Sequence, residues 1–360
     1  MNQPFLKKRL PSNKLFPIIR VATIAALFVV AIALSVPLVH GQSTPTDPLP
    51  SWNDGAVKKS IIEFVSRVTK EGSSDFVPVT DRIATFDNDG TLWPEKPLIQ
   101  GMFVLEKLKR MAAADPSFKK KQPFKAVLEG NVAYFSQVGE EAVIELFGAT
   151  HSNITQEQFE AETQAFFKKG IHPRFKVPYT QLAYQPMVEL MQYLRANGFQ
   201  TWICSGGGID FIRTISQQMY AIPPQQVIGS SLKKEFIEKD GKRTLWRKPE
   251  LDLYNDKAGK PVGIDLHIGK HPVFAGGNVR SGGDIAMLTY SQGLKTPSFQ
   301  LLINHDDAKR EFAYQEKDNA SLKAAKANSW AIASIKQDWK TVFRLSDNSA
   351  NTMKGKLYGR

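Results

Sequence analysis

Apolar and polar positions fall into two rhythms along this chain. Over residues 54–70, Val57, Ile61, Ile62, Phe64 and Val65 recur at helical spacing and Gly72-Ser73-Ser74 stops the run, which predicts a first helix. Arg82-Ile83-Ala84-Thr85-Phe86 is instead a short apolar run that breaks into Asp87-Asn88-Asp89-Gly90-Thr91, the pattern of a buried strand feeding a polar turn. From about residue 99 to residue 180 the helical rhythm returns, as in Phe103-Val104-Leu105-Glu106-Lys107-Leu108 and Glu141-Ala142-Val143-Ile144-Glu145-Leu146-Phe147.

Strand and helix then alternate. A helix over 186–197, with Met187, Leu190, Met191 and Leu194 on one face, leads through Gly198 into a second buried strand at 200–204, which ends in Ser205-Gly206-Gly207-Gly208. A helix at 209–219, a strand at 227–229 and a polar, hairpin-like excursion at 232–256 follow. Next come a short helix at 261–268, a strand at 272–275, a turn at 276–284, a helix from Ile285 and a strand at 299–304. This order predicts an α/β fold, a Rossmann-like parallel sheet core with helices on both faces, built from residues 76–98 and 186–345. The helical block at 99–185 interrupts that core as an insertion; residues 42–75 hold a Pro/Ser/Thr linker and the first helix, and residues 346–360 are a tail.

The N-terminus changes the picture of where such a domain works. Residues 1–20 are basic, residues 21–39 almost wholly apolar, and Val39-His40-Gly41 follows, which is the layout of a secretory signal peptide. The alternative is an uncleaved anchor, since about 19 apolar residues can just span a bilayer. Either reading predicts an exported protein, periplasmic or secreted, that meets a membrane only through this segment. Cys204 is the single cysteine, so no intramolecular disulfide and no multi-cysteine metal site is possible. The net charge of +12 includes Lys7, Lys8, Arg9, Lys14 and Arg20 of the leader. The remaining basic residues form no stripe interleaved with aromatics, so nucleic acid is not an expected partner. A mildly basic surface suits small anionic substrates.

The chemistry is concentrated where the first strand ends. Asp87 and Asp89, one residue apart, can face one site while Asn88 points away, because extended chain alternates with period two. One acid can then attack a phosphoryl group while the other protonates the leaving oxygen and later activates water. A calcium loop is the competing reading of Asp-Asn-Asp-Gly, but it demands further acids at fixed offsets, and Leu92-Trp93-Pro94 breaks that pattern. At the second strand end, Gly206, Gly207 and Gly208 after Ser205 allow backbone N–H groups to approach an anion at a helix start.

Asp87-Asn88-Asp89-Gly90-Thr91 resembles the first motif of the haloacid dehalogenase superfamily, in its phosphoserine-phosphatase-like branch, and the resemblance covers roughly residues 78–345. It implies Asp87 as nucleophile and Asp89 as acid/base partner, a residue that separates phosphatases from dehalogenases. Ser205 is similar to the second motif, whose hydroxyl holds the phosphoryl group with help from Gly206 and Gly207. Lys260 is the best match to the motif lysine that neutralises charge at phosphate and nucleophile, with Lys257 and Lys270 as competitors. The fourth motif departs from the pattern: Asn278 stands where the first metal-binding Asp is usual, and Asp284 follows two residues later than its counterpart.

The resemblance implies a magnesium ion (Mg2+) held by Asp87, the backbone carbonyl of Asp89 and the Asn278/Asp284 region. It also implies that the helical insertion is a cap over a small phosphorylated substrate. The expected activity is hydrolysis of small phosphomonoesters through an aspartyl phosphate; phosphotransfer to an alcohol, or binding of a phosphate ligand without turnover, are the alternatives. His267 and His271 carry a weak zinc signal. His305-Asp306-Asp307 is read as a helix N-cap as readily as a site, and Trp330 and Trp339 as core.

Overall fold

Adjacent residues of each inner strand feed opposite faces of the sheet. Ile203, Val227, Phe274 and Leu301 join one hydrophobic cluster, while their neighbours Cys204, Ile228, Ala275 and Leu302 join another. This is why these strands read as continuous apolar runs: both faces are covered. The computed structural model describes residues 47–345 except 281 and 294, so the expected signal or anchor and the C-terminal tail lie outside the described residues.

Seven strands make the sheet: β1 (Ile83–Phe86), β2 (Gln200–Gly208), β3 (Val227–Lys239), β4 (Lys242–Leu253), β5 (Phe274–Asn278), β6 (Phe299–Asn304) and β7 (Ala331–Ser334). Their order is β4-β3-β2-β1-β5-β6-β7, and every pairing is parallel except the β3–β4 hairpin. The chain moves from β1 outward to β4 and then returns to the other side of β1 as β5. Order therefore reverses between β1 and β5, and open α/β sheets bind ligands beyond the strand ends at such a point.

The helices are α1 (Ala56–Thr69), α2 (Ile99–Ala114), α3 (Phe124–Leu128), α4 (Val132–Val138), α5 (Glu140–His151), α6 (Gln156–Lys169), α7 (Gln185–Ala196), α8 (Ile209–Tyr220), α9 (Gly259–Ile268), α10 (Ile285–Gln292), α11 (Ala320–Ala327) and α12 (Ile335–Asp338). On the face covered by α1, Phe64 packs on Phe274 and Phe299 with ring centroids 6.3 and 5.4 Å apart. Ile264, Met287, Leu288 and Ala325 from α9, α10 and α11 fill the other face. Residues 99–185 contain α2 to α6. Their Phe103, Phe159 and Phe166 lie in the same cluster as Phe86 of β1 and Phe211 of α8.

Three boundaries differ from expectation. The second strand runs on to Gly208 and not to Cys204, and β5 is displaced to Phe274–Asn278, so Gly276–Asn278 are strand. A Cβ at Gly276 would stand 2.7 Å from the Phe86 ring, so glycine there lets the strand continue beside a large neighbour. The expected strand at 227–229 is the start of a 13-residue strand paired antiparallel with β4, which docks on the helical block: Asn153 N–H donates to Arg247 O at 2.8 Å and Arg247 N–H to Ile154 O at 3.0 Å.

Candidate active site

The candidate side chains arrive from several elements at the C-terminal edge of the sheet. Asp87 continues β1, its N–H donating to Gly276 O of β5 at 2.9 Å. Phe86 pairs with Ile203, so Asp87 at the end of β1 and Ser205 of β2 follow the last paired residues of neighbouring parallel strands. Asn278 is the last residue of β5, Asp284 immediately precedes α10, and Lys260 lies in the first turn of α9.

A single ammonium group sits between two carboxylates. Lys260 Nζ donates to Asp87 Oδ1 at 2.7 Å and to Asp284 Oδ1, and all three residues are buried. Lys257 pairs with Glu140 and Lys270 with Asp81, each at 2.7 Å, so of the three candidate lysines it is Lys260 that reaches Asp87. The longer fourth loop still returns to the site, since Asn278 N–H donates to Asp284 Oδ2 at 2.8 Å. Gly277 makes this possible: a Cβ there would lie 2.5 Å from Asp284 Cβ.

Asn278 Nδ2 faces a group of oxygens. It donates to the backbone carbonyl of Asp89 at 2.7 Å and to Asp87 Oδ2 at 3.2 Å, with Thr91 Oγ1 at 3.3 Å, while Asn278 Oδ1 is buried without a hydrogen-bond partner. Asp89 Oδ1 accepts from the Trp93 indole N–H at 2.9 Å. Gly90 closes the turn with φ +78°, and a Cβ there would meet Tyr314 Oη at 2.7 Å and Asn278 Cγ at 2.9 Å.

The electrostatics follow from burial. Desolvation, then the charge of Asp284, pushes the Asp87 carboxyl up to about 8 against the pull of Lys260. Asp89 is also raised, by burial first, with the Trp93 hydrogen bond working the other way. Burial works against the Lys260 ammonium, but Asp284 and Asp87 outweigh it and raise its pKa, so this lysine stays charged.

The glycine segment after Ser205 is held from several sides. Ser205 Oγ accepts from Gly207 N–H at 3.1 Å, Asn255 Nδ2 donates to Ser205 O at 2.9 Å, and Ser230 Oγ donates to Gly206 O at 2.8 Å. Gln100 of α2 accepts from Gly208 N–H at 2.9 Å, which brings the helical block against this segment. Sequence reasoning missed Gln100, Trp93 and Asn255. Only the position of Trp93, four residues past Asp89, offered a local signal.

A protein-family profile described as haloacid dehalogenase-like hydrolase matches residues 84–264, a span that includes Asp87, Asp89, Ser205 and Lys260. The chain belongs to that family. Among solved structures, this haloacid dehalogenase-like hydrolase is similar to a conserved protein of unknown function from Anaerococcus prevotii DSM 20548, with 15% identity over 79% of this chain and 94% of that chain and a TM-score of 0.47. It is also similar to a phosphoserine phosphohydrolase-like protein from Francisella tularensis subsp. tularensis SCHU S4, with 15% identity over 77% of this chain and 99% of that chain and a TM-score of 0.39. No curated protein matches it.

Proposed function

We propose that this haloacid dehalogenase-like hydrolase is a magnesium-dependent phosphatase that hydrolyses small phosphomonoesters through an aspartyl phosphate on Asp87. The observation that carries the reading is the buried Lys260 ammonium shared by Asp87 and Asp284 beside an acid-bearing glycine turn. Asp87 attacks phosphorus as the carboxylate, the form that the Lys260 ammonium favours against burial, while Ser205, the Gly206 backbone and Lys260 hold the phosphoryl oxygens and Gly207 N–H orients the Ser205 hydroxyl. Asp89, whose burial favours the protonated carboxyl, gives its proton to the leaving oxygen and then, as carboxylate, takes one from the water that cleaves the acyl phosphate.

The donor set fits a hard dication. Asp87 Oδ2 and the Asp89 carbonyl already converge on the Asn278 amide, whose own oxygen is buried and unpartnered; turning that amide over adds a further oxygen ligand. Asp284 supplies the negative charge that Asn278 lacks, and together these four residues would hold Mg2+, which supplies positive charge to offset that of the phosphoryl group.

In this reading residues 99–185 act as the cap that shapes the substrate site, and the leader exports the enzyme. Phosphate release from p-nitrophenyl phosphate with magnesium, abolished by Asp87→Asn and by chelation, is the expected result; equal release by wild type and variant would sink the proposal. Adding acceptor alcohols and looking for a new phosphoester separates hydrolysis from phosphotransfer.

A further inference from the structure

Directly against the motif turn lies a buried acid–imidazole pair for which the reaction just described has no use. His305 and Glu311 are 1% and 0% exposed. His305 Nδ1 is 2.9 Å from Glu311 Oε2, and its Nε2 is 2.7 Å from the carbonyl oxygen of Gly90. Burying such a pair is costly unless its hydrogen bonds are well made, so a fold that keeps one beside its reacting acids invites a functional account.

The geometry sets the proton positions. A backbone carbonyl can only accept, so Nε2 must carry the hydrogen that it directs at Gly90. Nδ1 then either donates to a Glu311 carboxylate or accepts from a Glu311 carboxyl, and in both arrangements Glu311 selects the ring state that keeps Nε2–H. The ring is also clamped: Tyr314 stacks on it at 4.2 Å, and Tyr314 N–H donates back to His305 O at 3.0 Å.

What the ring holds is the hinge of the acid-bearing turn. Gly90 N–H donates to Trp93 O at 2.8 Å, and the Trp93 indole in turn donates to Asp89 Oδ1 at 2.9 Å. The Gly90 carbonyl belongs to the next peptide, whose Thr91 N–H donates to Asn88 O at 3.2 Å, so His305 and Asn88 hold the two ends of the peptide that leaves the Gly90 hinge. The same connection after β6 reaches the other acidic loop, where Glu316 accepts from Gly282 N–H at 2.5 Å.

We propose that His305, oriented by Glu311, is a positioning residue for Asp89: by holding the Gly90 carbonyl it sets the turn from which Asp89 delivers its proton to the leaving oxygen. The inference rests on the phosphatase reading and adds to it a means by which a distant loop governs leaving-group protonation.

A loss of Asp89 positioning must depend on how much the leaving group needs a proton. The full-length protein and its variants are assayed with magnesium on phenyl phosphate, a poor leaving group, and p-nitrophenyl phosphate, a good one. His305→Phe, which keeps the stack on Tyr314 but has no donor, is expected to lose about tenfold in kcat/KM, which reports the step in which the alcohol leaves, on phenyl phosphate and less than about threefold on p-nitrophenyl phosphate, a fraction of what general acid catalysis contributes. Glu311→Gln, whose amide can still donate to Nδ1, is expected within about twofold of wild type on both, whereas Glu311→Leu follows His305→Phe.

Equal losses on the two esters, or Glu311→Gln as damaging as Glu311→Leu, would overturn the proposal while leaving the phosphatase reading intact. A wild type inert on both esters would overturn both. Independently of whether the variants fold, 15N NMR of the wild-type imidazole is expected to show a protonated, hydrogen-bonded Nε2; an unprotonated Nε2 refutes the assignment.

Discussion

Lys260 Nζ stands 2.7 Å from Asp87 Oδ1 although 173 positions separate the two residues in the chain. The same ammonium also bonds Asp284, so one buried cation neutralises two buried acids. Removing it leaves like charges facing each other in a site that excludes water. Lys260→Met is expected to lower kcat at least about 100-fold and to cost about 3–5 kcal/mol of stability in metal-free protein, the range for breaking a buried pair. Chemical denaturation with and without magnesium checks this: added magnesium should restore part of the lost stability in the variant and do less for wild type. No stability change would show that Lys260 is not what balances the two acids.

Asn278 tests the unusual fourth motif. Asn278→Asp places a third carboxyl beside Asp87 and Asp284, against Asp89 O and Asp87 Oδ2, where the amide now donates. More negative charge favours a hard dication and penalises the empty, desolvated site. The magnesium concentration for half-maximal activity is expected to fall about tenfold, which is about 1.4 kcal/mol of binding. The melting temperature in a chelator should fall as well. A metal titration of activity and paired melts decide it, and an unchanged half-maximal concentration would place the metal elsewhere.

Stability below neutrality should depend on His172. This ring is 0% exposed, its Nδ1 accepts from Arg174 and Phe175 N–H at 3.1 and 3.2 Å, and its Nε2–H donates to Lys96 O at 3.0 Å, so the folded protein holds it neutral. Burial lowers its pKa to about 4 from an ordinary 6.5. As pH falls the unfolded chain takes up the proton first, so the contribution is complete above pH 6.5 and is lost as pH drops toward 4. His151, also buried and also lowered, adds to the same trend. Urea unfolding at pH 7 and pH 4.5 should show a loss on the order of 2 kcal/mol from His172 in wild type. That share of the pH dependence should be missing in His172→Asn; equal pH dependence would refute the assignment.

The legible parts of the fold were those carried by neighbouring residues. The run from Ile83 to Phe86 reads as a strand because both of its faces are buried. Asp87 to Thr91 reads as a turn because it is polar and contains Gly90. The hairpin-like alternation over 232–256 is legible and corresponds to the β3–β4 pair, but its continuity with the core strand at 227–229 is not: β3 beyond Ser231 mixes Lys, Glu and Phe, and pairing with β4 carries the strand on. The sequence leaves His305 open between a helix cap and a site, because nothing near it in the chain shows that Gly90 lies against its ring.

From sequence alone came the alternation of strand and helix, the acid pair after β1, and the glycine run after Ser205, since each depends on a single backbone period or on a few adjacent residues. Tertiary structure decided which lysine meets Asp87, whether the lengthened loop returns Asp284 to the site, and what His305 touches. The contacts of Lys260 with Asp284 and Asp87, and of His305 with Gly90, span 24, 173 and 215 positions of chain, and strand register and helix starting points set them, not local composition.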